Sequence, residues 1–325
     1  MLNLKKLQVA YRRYSKNFVD GIKFETVQAK YEKNHREIVT IVESNDVERD
    51  HILLIDLNPV SSYYLSKWKN DVLLHGGKHT EPLKTMHMVV FYQCMAQELY
   101  QIRYPKMWVE YNFGEVVAAL IHFTMFGWEK EEALLFDFID QHLGRHIMDA
   151  NEYKRHVWFL LELYLQYRNK TIAGTRQNVK LALRQAFQKN GLKCDLIPDD
   201  LDIYEDVLER WNTTDPAETE QLLRSMSRFH SDLASELGNS LEFGDFRFAF
   251  YPYEMLFLLH IRKKLGLPVP RLADDFLLNT PEACMEFQAP EPYPEWDPSL
   301  RLIDNFYRKH YPDYIPNRHG ALFQA

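Results

Sequence analysis

An all-α fold, an irregular multi-helix bundle, is the class this sequence predicts, and three observations predict it. Glycine is scarce, at 12 of 325 residues, while 46 % of the chain is hydrophobic and 14 % aromatic. That balance suits neither disorder nor a turn-rich β architecture. Apolar residues recur at helical spacing along most of the chain, and capping and stop signals bracket those stretches. No segment shows strand–helix alternation. At this length the chain buries a sizeable core, in one large helical domain or two moderate ones.

In chain order, residues 1–18 are basic and aromatic and read as a short lead-in. Phe24, Val27, Tyr31, Ile38 and Ile41 predict a helix from Asp20 to about Ser44. Asn58-Pro59 starts another segment through Tyr63, Tyr64, Leu65 and Trp68. His75-Gly76-Gly77-Lys78-His79 reads as a loop, and Pro82 opens a helix to about Arg103. Further helices are expected at Glu115–Phe126, from Glu129 to about Leu143, from near Asp149, and over Arg176–Lys189. Leu201–Trp211 is a short helix. Asp215, Pro216 and Glu218 then give a capping-box-like start to a long one, with Leu222, Met226, Phe229 and Leu233 as its inward stripe. Residues 288–294 are extended, and a last helix covers about Pro298–His310.

The stretch Leu241–Arg271 organises the rest. Phe246, Phe248 and Phe250 alternate with Arg247 and Ala249 as a short extended approach. Pro252 suits the first position of a helix. Glu254 in its first turn and Lys263 and Lys264 in its last match the helix dipole, and Gly266 supplies the stop. Between them, Met255 to Ile261 is apolar nearly all round, apart from His260. Such a helix needs neighbours on most sides.

Charge divides the sequence. Residues 194–300 carry 22 acidic and 8 basic side chains, a net of −14, and the remainder carries 24 and 31, a net of +7. A cut between a helical N-terminal region, 1–193, and an acidic helical C-terminal domain, 194–325, follows. An acidic surface steers a basic partner and repels nucleic acid. Cys94, Cys194 and Cys284 form no C-x-x-C pair and fit reduced thiols in a cytoplasmic setting. The start of the chain lacks the apolar core of a signal peptide, and the longest apolar run, 116–126, is too short to span a bilayer.

Chemistry-bearing constellations are weak. His142, His146 and Asp149 would share a helix face at i, i+4 and i+7, but Gly144 interrupts them and Leu143 stands where a zincin needs glutamate. Glu32 and His35 form a lone E-x-x-H. His75, His79 and His87 read as scattered surface histidines. Asp199, Asp200, Asp202, Glu205, Asp206 and Glu209 form an acidic cluster, with Asp202, Asp206 and Glu209 on one helix face. Without a phosphate cradle beside them, they read as a partner-facing surface. No catalytic residue, metal site or cofactor is expected. The competing readings are a metal-dependent hydrolase using one of those two faces, and a helical adaptor.

The stretch Phe243-Gly244-Asp245, then Phe248-Ala249-Phe250-Tyr251-Pro252-Tyr253-Glu254 and its apolar helix, resembles the PoNi-type immunity proteins of bacterial polymorphic toxin systems. Asp274-Asp275 and the late Tyr311-Pro312-Asp313-Tyr314 add to the resemblance, which covers roughly the C-terminal third of the chain. It implies a cytoplasmic inhibitor that binds one cognate toxin domain, often a nuclease, and occludes it, with no enzymatic activity of its own. The expected contacts are Asp199, Asp200, Asp202, Glu205, Asp206, Glu209 and Asp245. Tyr251 and Tyr253 are expected either as interface anchors or as core residues. Glu254 reads as structural, capping its helix or pairing with a buried arginine such as Arg247, ahead of the alternative of direct toxin contact, and Asp274 and Asp275 belong to the same structural motif.

Overall fold

The computed structural model describes residues 3–77, 80–101, 103–107, 111–239, 242–288 and 290–324. Met1, Leu2, Lys78, His79, Leu241 and Ala289, which figure in the readings above, lie outside the described residues. Among those residues the chain is all-α, with twelve helices and no strand. They are α1 (Leu4–Val19), α2 (Gly21–Glu43), α3 (Asp50–His75), α4 (Glu81–Gln101), α5 (Phe113–Phe126), α6 (Glu129–His142), α7 (Arg155–Arg168), α8 (Val179–Lys189), α9 (Ile203–Arg210), α10 (Pro216–Ala234), α11 (Tyr253–Lys264) and α12 (Pro298–His310).

These helices form two compact units, each assembled from separated pieces of chain. The first comprises Met1–Val19, Val72–Lys78 and Asn151–Glu286; the second comprises Asp20–Asp71, His79–Ala150 and Phe287–Ala325. The expected cut at 193/194 therefore falls inside the first unit, and residues 194–325 are shared between the two.

In the first unit, residues 4–19 are a helix and not a lead-in, because Leu7, Ala10, Tyr14 and Phe18 repeat at helical spacing and are all buried. The Tyr14 hydroxyl donates to Glu282 Oε1 at 2.5 Å, and Phe250 packs 5.1 Å from Tyr11 and 5.0 Å from Tyr14. Helix α8 begins at Val179, since Asn178 is left-handed (φ 54°) and makes no side-chain cap. Glu162 of α7 supplies the cap from outside, accepting from the Val179 N–H at 2.8 Å.

The second unit is built on α4 and α5. Nearly every side chain of α5 is buried, with Asn112 capping its start and Gly127 (φ 72°) closing it. Helix α3 runs through Pro59 instead of starting there. Proline cannot donate within the helix and crowds the preceding turn; buried Asn34 of α2 donates to the Asp56 carbonyl in that turn at 2.9 Å. At the head of α12, Asp297 accepts from the Leu300 N–H at 2.9 Å and from the hydroxyls of Tyr31 (2.5 Å) and Tyr64 (2.9 Å). His35 of the E-x-x-H lies 2.8 Å from the Ser299 hydroxyl.

His87 is no surface histidine. It is buried and stacks on His122 with ring centroids 4.1 Å apart. His122 Nδ1 donates to the Ala118 carbonyl at 2.6 Å, and burial lowers its pKa from 6.5 to about 4. The folded state thus resists a proton that the unfolded chain accepts. This contribution to stability is complete above pH 6.5 and declines as pH falls toward 4. His122→Leu is expected to flatten the dependence of unfolding free energy on pH in that window by up to about 1.4 kcal/mol per pH unit. Urea unfolding at pH 4.5, 5.5 and 6.5 (about these values) measures it; an unchanged slope contradicts the assignment.

Candidate functional site

The distinctive chemistry of the first unit lies where α7, α10 and α11 meet. Asp215 caps α10 by accepting from the Ala217 N–H at 2.9 Å, with Pro216 at its first position. The inward face of α10 differs from the expected apolar stripe: Phe229 and Leu233 are only half-buried, while Ser227, His230 and Ser231 are buried. Residues 245–250 turn and do not extend, because Asp245 Oδ1 accepts from the N–H groups of Arg247 (2.7 Å) and Phe248 (3.1 Å). Pro252 is the N-cap residue of α11, one place earlier than expected, and Gly266 (φ 68°) follows its end.

Phe243 sits at the centre. Its ring stacks between His230, at 3.6 Å and 15°, and His156, at 4.2 Å and 26°. Its φ of 56° is a left-handed conformation that a bulky non-glycine residue adopts only under constraint. The constraint is visible on both sides. Glu242 Oε1 accepts from the backbone N–H and from ring Nδ1 of His156, both at 2.6 Å, and Arg155 Nε donates to Oε2 at 3.4 Å. On the other side His230 Nε2 donates to the Ala249 carbonyl at 3.0 Å, leaving Nδ1 2.8 Å from Glu254 Oε1. Because Nε2 must carry a hydrogen, the Nδ1–Oε1 contact holds a further proton between imidazole and carboxyl. Glu254 thus pairs with His230 and not with Arg247.

His156 Nε2 also lies 2.7 Å from the Tyr253 hydroxyl, completing a carboxylate–imidazole–phenol chain. The chain ends on a phenol that is 1 % exposed and whose pKa burial pushes far upward. The chain thus lies within the core. Tyr251 is equally buried, so of the two roles considered for Tyr251 and Tyr253, core packing holds and interface anchoring does not. Arg262 of α11 is fully buried and has no carboxylate partner among the described residues. Its guanidinium donates to the carbonyls of Pro268 (3.0 Å), Trp211 (2.5 Å) and Thr213 (2.9 Å) and to the Thr219 hydroxyl (2.7 Å), binding the α9–α10 connection to the loop after α11. Asp274 pairs with Arg224 at 3.1 Å, and Asp275 accepts from the Ser227 hydroxyl at 2.6 Å. Both aspartates pin their segment to α10.

The acidic residues form a rim on this frame. Asp199, Asp200, Asp202, Glu205, Asp206 and Glu209 are all exposed, on α9 and the residues just before it. Glu205 and Glu209 line a groove of about 310 Å³ together with Glu162, Gln166, Asn178 and Leu208. Four of the six already have basic partners: Asp199 with Arg184 (2.8 Å), Asp202 with Arg155 (2.9 Å), Glu205 with Lys180 (3.7 Å) and Asp206 with Arg210 (3.4 Å). Asp200 and Glu209 have no ion pair among the described residues. Pairs at the surface are worth roughly 0–1 kcal/mol and exchange partners readily; Lys180, itself buried, is the exception. Asp245, half-buried, is committed to its own turn.

The folded units redistribute the charge. The first contains 21 acidic and 23 basic residues, a net of +2, and the second 25 and 16, a net of −9. The acidic sequence block does not make an acidic unit, because the basic residues of α1, α7 and α8 fold with it. Helix α6 ends at His142, and Gly144 is left-handed (φ 81°), so His142, His146 and Asp149 do not share a helix face. Asp202 precedes α9 with φ 54° and pairs with Arg155, which removes it from the face of Asp206 and Glu209. Among the described residues no three His, Cys, Asp or Glu side chains are grouped to hold a metal, and no helix is long and apolar enough to cross a membrane.

Comparison with family models, with curated proteins and with solved structures finds no match to this chain.

The Phe243 clamp had no signature of its own in the sequence, since His156 and Glu242 are 86 positions apart. The available signal was the run of polar positions, Ser227, His230 and Ser231, on the helix face that carries Leu222, Leu223 and Met226. Burial raises the Glu242 pKa, but the His156 bonds and the Arg155 charge outweigh it, and the net value lies below 4.5. The stabilisation it provides is therefore complete above that ordinary value and is lost as pH falls through the lower native one. Glu242→Gln is expected to destabilise the first unit by roughly 3 kcal/mol at neutral pH, and by less at an acid pH below the native carboxylate's own lowered pKa. Denaturant unfolding at the two pH values checks it; an equal loss at both contradicts the ion's role.

Proposed function

We propose that this protein binds and neutralises a cognate bacterial toxin domain, as an immunity protein acting by stoichiometric occlusion. The observation that carries this reading is the exposed carboxylate rim of residues 199–209 beside its groove. The resemblance of residues 243–254 to PoNi-type immunity proteins points the same way. A basic patch, such as a toxin needs for holding nucleic acid, supplies lysine or arginine side chains of the length and charge to enter the groove.

Two electrostatic scales divide the work. The formal charge of −7 over the whole chain favours encounter with a cationic partner. At physiological salt, screening over roughly 8 Å leaves docking to the local rim. There Asp200 and Glu209 have charge to spare, and the partner's cations compete with Arg184, Lys180 and Arg210 for the other carboxylates. This predicts fast, salt-sensitive association.

Two measurements test the reading. Co-expression with the product of the adjoining reading frame is expected to abolish that product's toxicity and to yield a one-to-one complex; undiminished toxicity and no complex would overturn the proposal. Asp200→Lys with Glu209→Lys is expected to weaken such a complex by about tenfold or more, mainly through slower association, without lowering thermal stability. A complex unaffected by both charge reversals moves the interface away from the rim.

A further inference from the structure

The second unit holds a pocket that the proposed toxin binding does not use. Arg301, Asp304, Asn305 and Arg308 stand at i, i+3, i+4 and i+7 on one face of α12 and line a cavity of about 450 Å³ with Trp296 and Leu322. Its far wall is fixed. Phe323 is buried, its N–H donates to Glu131 Oε1 at 2.7 Å, and its ring packs 5.1 Å from Phe91 and 5.6 Å from Trp128.

The polar groups of the pocket are unequally satisfied. Arg308 is engaged, with Nε donating to Asp304 Oδ2 at 2.7 Å and Nη1 to the Pro316 carbonyl at 2.9 Å. Arg301 is exposed, has no ion pair among the described residues, and lies 5.9 Å from the centre of the Trp296 ring. Trp296 Nε1 is buried with no hydrogen-bond acceptor among the described residues, and Asp304, only 4 % exposed, is paired with Arg308. Two arginines against one aspartate make the pocket locally cationic, inside a unit whose net charge is −9.

We propose that this pocket binds a small organic oxyanion, a carboxylate or a phosphate monoester, with Arg301 as its principal charge partner. A guanidinium free of internal carboxylates is suited to grip either group through two parallel N–H bonds. The Trp296 ring lines the pocket beside Arg301 and offers an apolar face to the organic part of the ligand. Asp304, already paired with Arg308, offsets part of the positive charge and so favours a ligand of low charge. The site lies wholly within the second unit, so its occupancy is separable from the toxin-binding rim of the first.

Titration calorimetry on the full chain, at constant ionic strength, with phenyl phosphate and with benzoate as probes, tests the proposal. Saturable binding of at least one probe is expected, with Kd on the order of 1 mM for molecules of this size. Binding of phenyl phosphate alone identifies a phosphate site, and binding of benzoate alone a carboxylate site. Arg301→Gln is expected to weaken the binding about tenfold or more, whereas Arg318→Gln, an exposed arginine of the same unit outside the pocket, leaves it unchanged. No saturable binding of either probe, or equal binding by Arg301→Gln and the unaltered chain, overturns the proposal.

Discussion

The first unit depends on one constraint: Phe243 held in a left-handed conformation between two buried imidazoles, each tied to a buried carboxyl. The clamp joins segments remote in sequence, namely α7 through His156, α10 through His230, and the 242–254 turn that leads into α11. Each partner in it is desolvated, so each must be satisfied or the burial is costly. Glu242 and Glu254 meet that need for the two histidines. Tyr253 and Arg155 extend it outward, and Arg155 reaches Asp202 at the edge of the acidic rim. A structural network in the core thus sets the backbone position from which α9 projects its carboxylates.

Charge shows why a chain must be read in its folded pieces. As a sequence, residues 194–300 are strongly acidic; folded, residues 194–286 share a unit with the basic helices α1, α7 and α8, and that unit's sum is close to neutral. What survives is a local arrangement: carboxylates crowded onto one short helix, most of them lightly paired. Such a surface is poised for exchange with a partner's cations instead of standing as a bare anionic field. The opposite situation holds at α12, where a cationic pocket is set in an anionic unit.

Most of the helices were legible, because caps and periodicity are local signals. Asp20, Asn190-Gly191, Asp215-Pro216 and the limits of Pro298–His310 needed no tertiary information. The misreadings share a cause. Residues 4–19 pass for a basic lead-in until the four buried positions are seen together, and Pro59 passes for a boundary until Asn34 is placed beside its turn. The alternating phenylalanines at 246–250 suggest extension, but the Asp245 side chain bends the backbone. The rim residues were visible as a charge cluster. The clamp was not, since a histidine–carboxylate pair separated by 86 residues leaves no spacing to detect, and the discontinuous units leave no composition boundary.

The central claim is that the His230–Glu254 pair and its counterpart act together as a structural lock and not as independent buried polar groups. A double-mutant cycle with His230→Gln and Glu254→Gln, read by urea unfolding at neutral pH, tests it most directly. The account predicts a coupling energy of at least about 1 kcal/mol, with the double variant losing clearly less than the sum of the single ones. Additivity within roughly 0.3–0.5 kcal/mol would contradict it.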